Sequence, residues 1–360
     1  PRLLALLLPA LLHAGFRPVD SWAHEGPRAT FTVSQTGIST GGRAHIPNWL
    51  RSAAEYEDFR LRFEYNLAQW AEAAVFLRAP RTERPANAGL AIILAHDFHN
   101  QSTPFVTGAI AGVQPPLKLL PPSFAQWHKA EIACIGDSLT LHIDGVLLQE
   151  QNLAAHPALR HRLRRGYIGF PDMGHAYRVR SIEIEDLGRK HSIVELFETG
   201  IASAVRRGDS GHWQWDRGTL TGADGHSILY APPAFQDFEF TAAVRTHGRV
   251  NSGVFLRGSP HPQRSRGFEI QIYSPPDAVY PTGSIYGQAR SKLHADLEGR
   301  WFLLQILVQA SQCRVSIDGL ETASAPLPAS ALAQGQIGFQ IHLEDSSVEF
   351  RDIRVRPLAP

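Results

Sequence analysis

The sequence predicts an all-β protein made of two tandem antiparallel β-sandwiches. Three observations carry this. The chain repeats itself over nearly its whole length. Within each copy, short runs alternate apolar and polar residues, the pattern of strands with one buried face. Gly (30) and Pro (25) are abundant in 360 residues, as turn-rich β proteins require.

The repeat is legible in paired segments. WHKAEIACIGDSLTLHIDG (127–145) and WFLLQILVQASQCRVSIDG (301–319) both run from Trp to Ile-Asp-Gly over the same length. Further pairs follow in the same order. YEDFRLRFEY (56–65) matches FQDFEFTAAV (235–244), and AVFLR (74–78) matches GVFLR (253–257). TGAIAG (107–112) matches TGSIYG (282–287), GYIGF (166–170) matches GQIGF (335–339), and VRSIEI (179–184) matches FRDIRV (350–355). A shared order of this many segments means duplication. Each copy has the length of one ordinary domain, and the join falls near Gly188–His191. The expected boundaries are 24–188 for the first repeat and 192–357 for the second.

The elements follow from local chemistry. FRLRFEY and FEFTAAV alternate as half-buried strands. LTLHIDG and RVSIDGL each carry Asp-Gly, the strongest short hairpin signal. Helical periodicity is absent, apart from one expected turn at ASALAQ (329–334). The chain opens PRLLALLLPALLHAG. Arg2 followed by the apolar run Leu3–Leu12 reads as a signal peptide over 1–23, with cleavage after Ala14 or Ala23. The run is too short to span a bilayer comfortably. The expected location is therefore exported, periplasmic or extracellular, with no stable membrane insertion after cleavage. Charge is nearly balanced (35 Lys+Arg, 34 Asp+Glu) and no basic block is expected, which gives no reason to expect nucleic acid as a partner. Cys134 and Cys313 do not occupy matching positions, so two buried free thiols are expected rather than a disulfide.

Strand parity in the second copy singles out a polar face. In GFEIQIYS (267–274), Ile270 and Ile272 point one way, Glu269 and Gln271 the other. In GVFLR, Val254 and Leu256 oppose Gly253, Phe255 and Arg257. In IGFQIH, Ile337, Phe339 and Ile341 oppose Gln340 and His342. Tyr286 sits between glycines at a loop edge, and Asn251 opens the NSGVFLR strand. Amides, a guanidinium, a carboxylate and an aromatic ring on one face make a sugar platform. Each residue also has a bland explanation: a solvated sheet face, an ion pair of Glu269 with Arg257, a structural histidine, a turn at Asn251-Ser252-Gly253. The first copy serves as an internal control. Glu269 becomes Ala91, Gln271 becomes Ile93, Tyr286 becomes Ala111, Asn251 becomes Glu72 and Gln340 becomes Pro171, with Met173 at the His342 position. Arg78 is kept opposite Arg257. The apolar half of the pattern survives and most of the polar half does not, as expected of a copy that lost a site and kept its fold.

The ordered set LFETG (196–200), DFEF (237–240), NSGVFLRG (251–258), GFEIQIYS, TGSIYG, SIDGL (316–320), GQIGFQIH (335–342) and VEFRDIRV (348–355) resembles the 3-keto-disaccharide hydrolase domain family. The resemblance is strong over about 193–357 and weaker over about 27–187. It implies a concanavalin A-like jelly roll with a concave face in each repeat, and a 3-keto-glycoside as carbohydrate substrate. A C3 ketone acidifies the C2 proton. Its removal lets the enolate expel the glycosidic oxygen, and water then adds to the enone. This route requires a base, an electrophile for the enolate oxygen and an acid for the leaving group, not the paired carboxylates of ordinary glycosidases. The expected roles are Glu269 or His342 as base, Arg257 at the enolate oxygen, Tyr286 as acid, and Gln271, Gln340 and Asn251 as substrate ligands. No cofactor is called for with certainty. A divalent metal is a candidate Lewis acid, although no H-x-x-x-H or Cys-rich signature is present, and His96, Asp97 and His99 are expected on a solvated loop. Ser274 stands where the family often has aspartate. A non-catalytic, lectin-like carbohydrate-binding protein is the alternative, and a purely structural exported module the third.

Overall fold

A computed structural model describes residues 15–27, 29–42, 48–96, 101–273, 275, 277–293, 296–329 and 331–358. The apolar run Leu3–Leu12, Asp97, His99 and Ser274 lie outside them. Among the described residues no helix is long and apolar enough to cross a membrane.

Each repeat is a two-layered antiparallel jelly-roll sandwich. In the first, a five-stranded sheet runs Trp22–Glu25, Asn48–Tyr56, Gly166–Asp172, Glu72–Ala79, Leu90–Ala95. It packs on an eight-stranded sheet built around Asp58–Leu67, His128–Ile135 and Ala176–Gly188. The second repeat has the same order, but two long strands, Thr219–Phe235 and Gly335–Pro357, bend from one layer into the other. Its layers therefore count as one eleven-stranded sheet. In the first repeat the equivalent of the latter strand is broken between Asp172 and Ala176.

The duplication holds at the level of single hydrogen-bonded pairs. Cys134 opposes Leu139 in the first copy, and Val308 opposes Cys313 in the second. Both cysteines are buried and free. Each Asp-Gly is a two-residue turn with φ > 0 at both positions (Asp144 50°, Gly145 77°; Asp318 47°, Gly319 75°), the type I′ geometry that matches strand twist. Parity buries Val254, Leu256, Ile270, Ile272, Ile337 and Phe339 completely, or nearly so, in the second core. The described residues of 329–334 are not helical, although the Ala331 N–H donates to the Pro328 carbonyl at 2.9 Å. Among the described residues the one helical turn is Pro85–Ala88, where Pro supplies a preset φ at the start. The expected start of the first domain at residue 24 falls inside an edge strand: Trp22–Glu25 pairs with 49–52, and Arg17–Pro18 pairs with Glu183–Ile184.

The two repeats contact each other through charged side chains. Arg354 of the second bridges Glu55 (2.6 Å) of the first and Glu195 (2.9 Å). Arg81 lies 3.5 Å from Asp352, and Arg351 donates to the Arg81 carbonyl. The linker is pinned to the first repeat by Lys190 on Asp58 (2.7 Å) and His191 on Glu57 (2.6 Å). On the second repeat these contacts use the sheet that carries Arg245, Arg351 and Arg354, opposite the predicted polar face. On the first they reach the degenerate face itself, because Trp49 shares a cavity of about 450 Å³ with Arg245, Trp301 and Arg351. The copy whose polar residues are gone is the one whose face adjoins its neighbour.

Candidate carbohydrate site on the second repeat

Register brings the predicted residues into rows across the sheet. Tyr230, Gly338, Phe255 and Glu269 stand side by side on four adjacent strands. The next row is Ile228, Gln340, Gly253 and Gln271. Two residues further along, His226 faces His342 and Asn251 faces Tyr273. The TGSIYG segment closes the edge: Ile285 bridges Ile270, and the Tyr286 N–H donates to the Glu269 carbonyl at 2.9 Å. Tyr286 is half exposed, and its ring packs on Tyr280 with centroids 5.2 Å apart.

Glu269 is held in an unusual setting. Gly253 has no side chain, and the Glu269 carboxylate fills that space; a Cβ at Gly253 would meet Oε1 at 2.5 Å. The Gln271 amide, oriented with its nitrogen toward the carboxylate, donates to Oε1 at 2.8 Å and to the Ser252 carbonyl at 3.3 Å. Phe255 is buried beside it and clusters with Ile228 and Tyr230. Burial among these groups pushes the carboxyl up to about 7, and Arg266 partly opposes the shift. Such a group exchanges a proton near neutrality, the property of an effective general base. Gly253→Val is expected to drive the carboxylate into solvent and return its midpoint toward the ordinary glutamate range. An NMR pH titration of the Glu269 side chain reads this directly.

Gln340 is buried on the row of Gln271, and among the described residues its Oε1 has no hydrogen-bond partner, an acceptor left unsatisfied beneath this sheet surface. His342 is exposed, and its ring stands edge-on to His226 at 4.6 Å. Desolvation, His226 and Arg266 all favour its neutral form. It lies four residues along its strand from the row of Glu269, roughly 13 Å. The two candidate bases thus mark opposite ends of one surface, with Gln271 and Gln340 between them.

Arg257 does not belong to this surface, and its expected role at an enolate oxygen is corrected. Its backbone turns left-handed (φ 50°), which breaks the alternation after Leu256. Its guanidinium donates to the Gln236 carbonyl (2.8 Å), the Leu332 carbonyl (3.4 Å) and Asp237 (2.9 Å). The ion pair expected between Glu269 and Arg257 is likewise replaced by Arg257–Asp237. Arg78 does the same in the first repeat, with φ 50°, the Glu57 carbonyl (2.8 Å), the Gly136 carbonyl (3.1 Å) and Asp58 (3.4 Å). The signal was present in the sequence: this arginine survives in the copy that lost the polar face, so it serves the fold.

Sequence parity left out the strand HSILYA (226–231), whose His226, Ile228 and Tyr230 complete the surface. Among the described residues no three His, Cys, Asp or Glu side chains gather as a metal site. His96 accepts from the Trp70 backbone N–H at 2.8 Å through Nδ1, a structural contact.

The first repeat shows the same frame without the chemistry. Phe76 opposes Ala91 as Phe255 opposes Glu269, and the Ala111 N–H donates to the Ala91 carbonyl as Tyr286 does to that of Glu269. Trp49, Phe76 and Tyr167 fill the face with apolar surface.

A family model described as a 3-keto-alpha-glucoside-1,2-lyase-like domain matches residues 13–185 and again 199–356. The chain belongs to this family, as two tandem copies. No curated protein matches it. Among solved structures, a putative glycosyl hydrolase from Parabacteroides distasonis is 13% identical and aligns with 49% of this chain and 95% of its own, at a TM-score of 0.43. A carbohydrate binding module from Bacillus subtilis is 16% identical over 46% of this chain and 95% of its own, at 0.35. The VIP36 exoplasmic/lumenal domain, bound to Ca2+ and Man3GlcNAc, is 13% identical over 48% and 90%, also at 0.35.

Proposed function

We propose that the second repeat cleaves the glycosidic bond of 3-keto-glycosides by C2 deprotonation, elimination and hydration, in an exported protein. The observation that carries the reading is Glu269, a carboxyl of pKa about 7 seated over Gly253 and oriented by Gln271. Glu269 takes the C2 proton. Gln271 and Gln340 hold hydroxyls, and the ring of Tyr286 covers a sugar face. Tyr286 also protonates the leaving oxygen, a role supported by its half-exposed ring beside the Glu269 strand. His342 and His226 contact the far end of the substrate. A divalent metal remains a candidate Lewis acid, and no step is assigned to it. The first repeat supports the second by packing against its other sheet.

The test is incubation with 3-keto-trehalose and 3-keto-glucosides, with and without divalent metal, following release of the free 3-keto sugar. Release supports the reading. Saturable binding of the same sugars without release favours the lectin-like alternative, for which the unpartnered Gln340 oxygen and the exposed Tyr286 speak equally. Tyr286→Ala is expected to raise KM by about three- to tenfold, the worth of one aromatic contact. Steady-state kinetics on the variant measures it.

A further inference from the structure

A second cavity, of about 450 Å³, lies between the two repeats, away from the proposed active surface. One wall comes from the first repeat's basic run 160–165, a block concealed by the overall charge balance, through Arg160, His161, Arg162 and Arg164. The other wall is the second repeat's strand pair Phe302–Gln309 and Gln312–Ile317, which brings Gln305 and Arg314. In the second repeat the matching connection is the shorter LPASALAQ (327–334), which has no arginine. The fold does not require the basic run.

Seven fixed cations line the cavity against four carboxylates. Some are neutralised: Arg164 by Asp137 (2.7 Å), Lys190 by Asp58 (2.7 Å) and Arg356 by Glu239 (2.6 Å). Arg314 also has Glu321 at 2.9 Å. The surplus gathers at His161. Arg160 donates to its Nε2 at 3.0 Å, and the Arg314 guanidinium lies 2.8 Å from the same nitrogen. Arg314 keeps Glu321 as its counter-ion, whereas among the described residues the Arg160 side chain has only this imidazole nitrogen, which carries no negative charge. Among the described residues Arg162 reaches only carbonyls, those of Ala86, Ala158 and Gly89. Gln305 is 5% exposed; its amide nitrogen donates to the His161 carbonyl at 3.1 Å, but among the same residues its buried Oε1 has no partner. The cavity therefore lacks two things at once: an oxyanion for the guanidinium groups and a hydroxyl donor for the amide oxygen.

We propose that this cavity binds an acidic sugar, with its carboxylate or phosphate between Arg160 and Arg314 and a hydroxyl donating to Gln305 Oε1. The site is separate from the Glu269 surface, and the inference does not depend on that surface's activity. Calorimetric titration of the full chain with glucuronate, glucose 6-phosphate, inorganic phosphate and glucose tests it. At least one acidic sugar should bind saturably, one per chain, and more tightly than phosphate or glucose; the tighter of the two identifies the charged group. Arg160→Gln with Arg314→Gln should weaken that binding by about tenfold or more, and Glu269→Gln should leave it unchanged. If the double variant does not fold, Gln305→Leu serves instead and should weaken the acidic sugar while sparing phosphate. The proposal is overturned by the absence of binding, by phosphate binding as tightly as either acidic sugar, by indifference to these cavity variants, or by loss of binding in Glu269→Gln.

Discussion

Glu269→Gln is expected to lower kcat for cleavage of a 3-keto-glucoside by about 10²–10⁴-fold, the usual worth of a positioned general base. The amide keeps the shape of the side chain over Gly253 and can still pair with Gln271, so the loss reports proton transfer rather than packing. The wild-type pH profile carries the same information. A base must be ionised to act, and the Glu269 midpoint lies at about 7. Activity should therefore fall about tenfold per pH unit below neutrality and level off above it. Stability should move the opposite way. Because the folded pKa is raised, the native state holds the proton between roughly 4.5 and 7 while the unfolded chain has released it. Stability is then lost as pH rises through that window. At pH 8 the neutral Glu269→Gln variant should be more stable than wild type, by up to about 3 kcal/mol. Denaturant unfolding at pH 5 and pH 8, alongside the rate assay, checks both signs. A variant with full turnover removes Glu269 from the mechanism.

Arg257→Ala is expected to cost the second repeat about 3–5 kcal/mol, the loss typical when one partner of a buried ion pair is removed. Asp237 would be left as a nearly buried carboxylate that keeps only the Ala310 backbone N–H at 2.8 Å. Arg78→Ala should cost the first repeat less, because Asp58 keeps Lys190 at 2.7 Å and the Gly136 N–H at 2.7 Å. The parallel is diagnostic. Both arginines tie the inward strand to the same hairpin turn, and only one of their repeats has a polar face. Lysine should restore little at either position, because a single ammonium cannot span two carbonyls and a carboxylate in a fixed fork. Denaturant unfolding of the four variants measures this. An Arg257→Lys protein of wild-type stability that has lost turnover would return Arg257 to the chemistry.

A different dependence governs the contacts between repeats. Arg354 joins the buried Glu55 to the partly exposed Glu195; desolvation lowers the Arg354 pKa, and attraction to Glu55, Glu195 and Asp352 outweighs it, holding the guanidinium above its ordinary value. The repeats are thereby joined in part by charges with specific geometry. The same stacking accounts for the divergence of the two faces. Trp49, Phe76 and Tyr167 occupy the first face where Ile228, Phe255 and Gln336 lie in the second, and Trp49 looks onto the neighbouring repeat.

The sequence by itself determined the duplication, the antiparallel sandwiches, the Asp-Gly turns and the side of each strand that enters the core. These are local properties: a period of two, a turn chemistry and a repeated order of motifs. It also placed Glu269, Gln271 and Gln340 on one surface, because parity is preserved wherever a strand stays regular. Only the tertiary structure decided what lies next to what. The left-handed residue at Arg257 ends the parity of its strand, and its ion-pair partner is 20 residues away at Asp237. His226 and Tyr230 join the surface through pairing with Gly335–Pro357, more than a hundred residues later in the chain. The space above Gly253 that shelters Glu269, and the cavity where Arg160 meets Arg314, exist only once distant segments are brought together. A pattern along the chain fixes which way a side chain points; burial, and with it the proton affinity of Glu269, depends on the neighbours that folding supplies.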